Sequence, residues 1–324
     1  MVTAMSLVRR AYGWHRPLML FAAFASVVVL VALVGLVVDE RELVGAPIWA
    51  KPAKFAFSFG LYAVTWAWML SLQRRHVKAG RALGTIAAVA CTLEVAVVLL
   101  QTIRGHRSHF NVETALDATM WGIMASSIMV LWVANIAGAV LIMMERHADR
   151  PALLSLRLGT VITLAGMAVA FLMTWGTDYQ RANRPMKIIG SHSVGVQDGG
   201  PDMAVTGWST TGGDLRVPHF IGVHGLQMLP LFLLALGLLV TRVPRLRDEL
   251  VRFRLVWTFG GFYAGLVALT LWQALRRQPL VRPDLLTIGA LGVLVAATIG
   301  AATWALRSRT PAPAPAPVQE EVLV

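Results

Sequence analysis

The sequence predicts an all-α polytopic membrane protein with eight transmembrane helices, and three observations predict it. Hydrophobic residues make up 56% of the 324 residues and charged residues only 14%, well below the charged share of soluble domains. Mean hydropathy is +0.64, too apolar for a water-exposed globule. The apolar residues also gather into long runs separated by charged segments, the pattern of spans and loops. A net charge of +12 raises nucleic acid as a partner. Lys and Arg, however, sit between the apolar runs rather than in one patch, so the partner implied is the lipid bilayer and not nucleic acid.

A spanning helix needs about 20 apolar residues. Eight segments qualify: 17–38, 54–73, 81–101, 118–144, 154–175, 219–241, 255–275 and 285–306. Backbone groups in hydrocarbon must be satisfied within each segment, so helices are the expected form. Pro17, Pro151, Pro218 and Pro283 fall at or just before helix starts, where a missing N–H costs nothing. The first run exceeds a signal-peptide core and is followed by Asp39-Glu40-Arg41-Glu42, so it reads as a retained span. The single cysteine, Cys91, excludes an intrachain disulfide and any Cys-based metal site within one chain.

Lys and Arg are denser on the N-terminal side of the spans, as in Arg74-Arg75-His76-Val77-Lys78 and Arg242-Val243-Pro244-Arg245-Leu246-Arg247. The positive-inside rule therefore places both termini in the cytoplasm. Residues 1–308 form the eight-span domain. Residues 309–324, where Pro and Ala alternate from Pro311 to Pro317, read as a disordered cytoplasmic tail.

A faint internal repeat divides the spans four and four. Span 3 ends on Gln101-Thr102-Ile103-Arg104, with Asp117 opening span 4. Span 7 ends on Gln273-Ala274-Leu275-Arg276, with Asp284 opening span 8. Such parallel halves often hold a site between them.

Chemistry gathers on the non-cytoplasmic side. The loop between spans 3 and 4 reads Arg104-Gly105-His106-Arg107-Ser108-His109-Phe110-Asn111. The longest loop, 176–218 between spans 5 and 6, reads as a small β-hairpin. Residues 188–196 and 203–211 flank an Asp198-Gly199-Gly200-Pro201 turn, and the whole forms an ordered cap. This side carries His192, Asp214, Arg216, His219, His224 and Gln227. Five of the eight histidines (His106, His109, His192, His219 and His224) lie here. Imidazole is the commonest metal ligand, so His106, His109, His219 and His224 are candidate ligands of a transition metal or a haem. On one regular helix His219 and His224 would point about 140° apart and could not grip one ion unless the helix starts after His219. No HExxH signature is present, and the alternative is that these rings bond to loop carbonyls and carboxylates.

Glu94 is the one acidic residue well inside a span. A carboxylate there costs roughly 3 kcal/mol on insertion scales, so it points to a cavity, a proton relay or a cation partner. Gln101, seven residues on, shares its face, and Arg104 roughly continues it. A neighbouring Thr, Asn135 or Gln could equally hold Glu94 as a protonated acid. Lys51 and Lys54, beside Trp49, read as interfacial anchors or as holders of an anionic head group.

The strings RGHRSHFN (Arg104 to Asn111), SHSVGV (Ser191 to Val196) and WSTTGGDLRVPHFIGVHGLQ (Trp208 to Gln227) resemble those of a family of uncharacterised multi-span bacterial membrane proteins. The resemblance implies a bacterial inner (plasma) membrane location and brings no activity. The eight-span, four-plus-four plan is similar in architecture to haem A synthase, without paired histidines on matching helices. Zinc-dependent membrane hydrolases of the ceramidase and adiponectin-receptor type offer a further analogy, but their HxxxH spacing is missing.

Three functions follow as expectations. The first is a membrane protein binding a metal, haem or small ligand at the outer histidines. The second is a proton-coupled transporter using Glu94, against which stands the lack of any visibly interrupted span. The third is an outer-leaflet hydrolase or transferase acting on a lipid, with Asp117 or Glu113 as base. Asn111, Asp214 and Arg216 are assigned to ligand binding with His192, Gln101, Arg104 and Gln227. An accessory subunit without chemistry is the remaining alternative.

Overall fold

The computed structural model describes residues 9–146, 149–183 and 185–307. The Pro/Ala-rich tail lies outside them. Ten α-helices that lie wholly within the described residues carry the fold: α1 (Arg16–Val38), α2 (Ala50–Leu72), α3 (Val77–Arg104), α4 (Ala115–Met144), α5 (Arg150–Met173), the short α6 (Asp178–Ala182), α7 (Arg216–Val223), α8 (Gly225–Leu239), α9 (Glu249–Leu275) and α10 (Leu285–Arg307). Seven of them are long and apolar enough to cross a membrane, or eight spans if α7 and α8 count together. The chain is thus a multi-pass helical membrane protein.

Helix starts follow the local chemistry. Pro17 and Pro151 occupy the first turns of α1 and α5, and the Asp149 carboxylate accepts from Ala152 N–H. Thr114 caps α4 by accepting from Asp117 N–H, and Asp248 caps α9. Apolar residues then face outward as freely as inward: α10 buries little beyond Thr287 and Ala305. In water this would be a liability, but in lipid it is the ordinary outer surface of a span.

The expectation of uninterrupted spans is corrected in the sixth. It is broken at His224 into α7 and α8, which bend by 49°. Two features allow the break. Gly222 packs backbone to backbone on Gly166 of α5, where a Cβ on either would come within 2.4 Å of the other's backbone. Thr163 of α5 then takes up polar groups that the break releases, donating to Val223 O at 3.3 Å and accepting from Leu226 N–H at 2.9 Å. Irregular backbone at membrane depth needs such partners.

Packing has the same order at the two ends of the chain. α1 lies on α2 and α3, and α3 on α4; α5 lies on α7, α8 and α9, and α9 on α10. The largest buried cluster, around Leu18, Trp66, Cys91, Leu131 and Leu226, joins the first four helices to α8.

One face of the bundle carries the longer loops, here termed the capped face. Between α1 and α2, strands β1 (Glu42–Leu43) and β2 (Ala46–Pro47) form a tight hairpin whose turn residues Val44 and Gly45 both have positive φ. The described residues of the long loop pair differently from the expected hairpin. Its strand β3 (Ser193–Val194) pairs with β4 (Gly213–Asp214), Asp202 bridges to Ser209, and Ile188 pairs outward with Asn111. The cause is Asp198, whose carboxylate turns back onto the N–H groups of His192 and Ser193 and the Ser191 hydroxyl. Residues 191–198 close on themselves, so residues 203–211 are not their strand partner.

Candidate functional site

The α2 helix organises the site. Lys51, Ser58, Tyr62 and Trp66 fall at spacings of seven, four and four, so they share a stripe down the helix. The Lys51 ammonium donates to His109 Nδ1 at 3.0 Å. Ser58 Oγ stands 3.3 Å from His224 Nε2 at the break. Tyr62 Oη bonds Asn135 of α4 at 3.1 Å, and the Trp66 ring meets Tyr62 at a tilt, with centroids 5.5 Å apart. A polar line thus runs from the capped face into the bundle and ends on an indole.

Loops and the broken span add the remaining walls. His109 sits among Phe55, Phe110 and Trp121, with centroids 5.3, 5.9 and 5.7 Å away. His192 meets Phe110 at a tilt, with centroids 5.1 Å apart, and is oriented by Asp198, whose Oδ2 lies 3.2 Å from Nδ1. His219 places Nδ1 2.8 Å from Gly166 O. His109, His192 and His219 lie within electrostatic range of one another, and His219 of His224. All four rings, with Lys51 and Ser58, are half-buried rather than fully packed, at the junction of the cap with α2 and the broken helix pair. Gln227, 5% exposed, lies against His224, and its amide interacts with that ring without reaching the geometry of a well-formed hydrogen bond.

Burial sets the charge of the loop groups. It pushes the His109 pKa well below the usual imidazole range, and the Lys51 charge adds to that. Burial also lowers His192, against the opposing pull of Asp198. For Asp198 burial acts upward, but the His192 ring and the N–H groups of His192 and Ser193 outweigh it, so its pKa falls far below the usual carboxylate range.

The sequence-predicted residues are dispersed among three places. His109, His192, His219, His224 and Gln227 are neighbours at this junction. His106 does not: it is 38% exposed in its side chain and lies 3.6 Å from Asp117. The 105–114 segment is not helical, so His106 and His109 share no face. Gln101, Arg104 and Asp117 form a separate lock. Fully buried Asp117 accepts from Arg104 at 2.8 Å, Gln101 at 2.9 Å and Thr114 at 2.7 Å. Asn111 shapes its own loop, accepting from Glu113 N–H and donating to Arg107 O. Asp214 and Arg216 pair with each other at 2.6 Å and brace the cap through Ser209 N–H and Gly207 O. Neither carboxylate proposed as a base is free, since Glu113 pairs with Lys187 at 2.7 Å.

Glu94 is fully buried, with Oε1 accepting from Ser127 Oγ at 2.6 Å and Oε2 without a partner. Asn135 belongs instead to Tyr62. Ser58, Asp198, Thr163, Tyr62 and Ser127 were not legible as site residues. Small hydroxyl groups in apolar runs carry no signal until a partner helix supplies theirs. Among the described residues no group of three or more His, Cys, Asp or Glu is arranged to hold a metal ion.

Comparison of the chain with protein-family models, with curated proteins and with solved structures found no match.

Proposed function

We propose that this chain is a membrane-embedded binding protein whose ligand occupies the histidine-lined recess at the break of the sixth span. The Gln227 amide, buried beside His224 without a well-formed hydrogen bond, carries the reading. A buried amide whose bonds are poorly made costs about 1–3 kcal/mol, which a ligand in the recess would recover. The break supports it too, because membrane proteins interrupt a span where it lines a site. Counting α7 and α8 as one span gives eight, in two parallel halves of four, and the recess then lies between the halves. With both termini in the cytoplasm of a bacterial inner membrane, it opens outward.

A haem or transition metal is one class of occupant. His192 and His219 each hold Nδ1 on a protein acceptor, which fixes the tautomer that presents Nε2 to a metal. Native mass spectrometry of detergent-purified protein, with elemental analysis for Fe, Cu and Zn, tests the proposal. One bound species near equimolar amounts is expected, lost in His224→Ala. An empty wild type indistinguishable from that variant would remove the support.

Proton-coupled transport is the second reading, favoured by the unpartnered Glu94 Oε2 and by a recess on the opposite face. That recess is lined by Trp66, Gln73, Gly80 and Glu145, so Trp66 separates it from the polar line above. pH-gradient-dependent proton flux into proteoliposomes, abolished in Glu94→Gln, is the expected result. Equal flux in the variant would exclude Glu94 as the coupling group.

A further inference from the structure

We propose that the recess on the face opposite the cap binds the hydroxyl head of a single-chain alcohol, a fatty or isoprenoid alcohol drawn from the membrane. This goes beyond both readings above, because it needs neither the histidines nor Glu94. The recess lies where four helices end or begin. Gln73 and Glu145 are the first residues beyond α2 and α4, and Gly80 and Leu153 stand in the first turns of α3 and α5. Two polar side chains line it, and each contributes an acceptor. Gln73 Oε1 is buried and has no hydrogen-bond partner among the described residues. A side chain at Gly80 would collide with that oxygen, so the glycine lets the amide fold against α3. The Glu145 carboxylate is fixed beside it, with Oε1 accepting from Arg74 N–H at 3.1 Å and Arg75 N–H at 2.8 Å.

The rest of the lining decides the ligand. Trp66, Leu70, Leu141, Ile142, Leu153 and Leu156 make the walls apolar. The closed volume is about 20 Å³, room for one small group, and the recess is open on one side. A buried acceptor without a donor is costly, so the head of the occupant must donate. A water would satisfy the oxygen but leave the apolar walls wet. A carboxylate head would set acceptors against acceptors. The adjoining loop, with Arg74, Arg75 and Lys78, is cationic and disfavours an ammonium head. A glycerol ester is too bulky for the closed volume. A hydroxyl on one hydrocarbon chain meets every condition: it donates, it is small, and its chain suits the walls.

Thiol protection tests this. In a Cys91→Ala background, Leu141→Cys is labelled with methyl methanethiosulfonate in the presence of decanol or of methyl nonyl ether, an isomer of the same formula without the O–H. Decanol is expected to slow labelling about tenfold more than the ether, the equivalent of one hydrogen bond to a buried acceptor. The difference should vanish in Gln73→Met, which keeps the length of the side chain, and survive in Gln73→Glu, which keeps the acceptor. Equal protection by the two isomers would overturn the hydroxyl, and stronger protection by decylamine would overturn the neutral head. Protection by neither isomer would leave the recess to water and overturn the site. A thiol that never reacts, in protein that stays monodisperse, would mean that the recess does not open, and would overturn it as well. The histidine site is tested separately by His224→Ala, so either proposal can fail without the other.

Discussion

At the scale of single residues, the groups that define the recess are those whose bonding is incomplete. Gln227 is buried with its amide loosely bonded beside His224, while Asp117, more deeply buried, accepts from three side-chain donors. The first reads as a group awaiting a ligand and the second as a latch between α3 and α4. Gln227→Leu should therefore raise the melting temperature of the ligand-free protein, by the equivalent of about 1 kcal/mol, while abolishing binding. A lowered melting temperature would mean that the amide has a structural partner. The loop histidines predict a pH dependence with a definite sign. His109 and His192 have lowered pKa values, so the unfolded chain binds their protons more readily than the folded one. Their contribution is complete above the ordinary imidazole value of about 6.5 and is lost as pH falls below it. Thermal melts between pH 8 and 5.5 should show the loss, and His109→Asn should reduce it. Asp198, lowered from the ordinary carboxylate range, would lose its contribution only at more acid pH.

At the scale of elements, the consequential feature is the sixth span. Its composition reads as one continuous helix, and a period of 3.6 residues separates His219 from His224. The 49° bend at His224 re-aims α8 and brings Ser58 and Gln227 to the same ring. That bend depends on the Gly166–Gly222 contact, because any side chain would push α7 from α5. Gly222→Ala should cost about 2–3 kcal/mol of stability by overpacking and should weaken ligand binding out of proportion to Gly237→Ala, a site with open space. Equal effects from the two would detach the recess from the break. The Gln-x-x-Arg echo has a counterpart in the backbone. Both α3 and α9 end with a left-handed residue, Gly105 or Arg277, and both send the Gln side-chain amide to the carbonyl six residues on. Gln-x-x-Arg itself was visible in the sequence. The shared turn was not, since Gly105 announces a left-handed cap and Arg277 does not.

At the scale of the whole molecule, the orientation is the open architectural claim, and it rests on charge counting. A C-terminal green fluorescent protein fusion should fluoresce, and an alkaline phosphatase fusion at the same point should be inactive. The reverse pattern would place the recess on the cytoplasmic side. What the sequence determined by itself was the solvent and the fold class: runs of about 20 apolar residues leave lipid as the only medium in which the chain can stand. It also placed the capped-face histidines in one neighbourhood, because alternating spans return every second loop to the same side. Only the tertiary structure decided which of them meet. His106 turns out to Asp117, His109 turns in to Lys51, and Lys51, readable as an interfacial anchor, becomes the centre of the site. The physical reason is that lipid tolerates any apolar face, so spans carry almost no signal of which side packs inward. That choice falls to hydroxyl pairs, glycine contacts and one helix break, none of which acts until the helices are together.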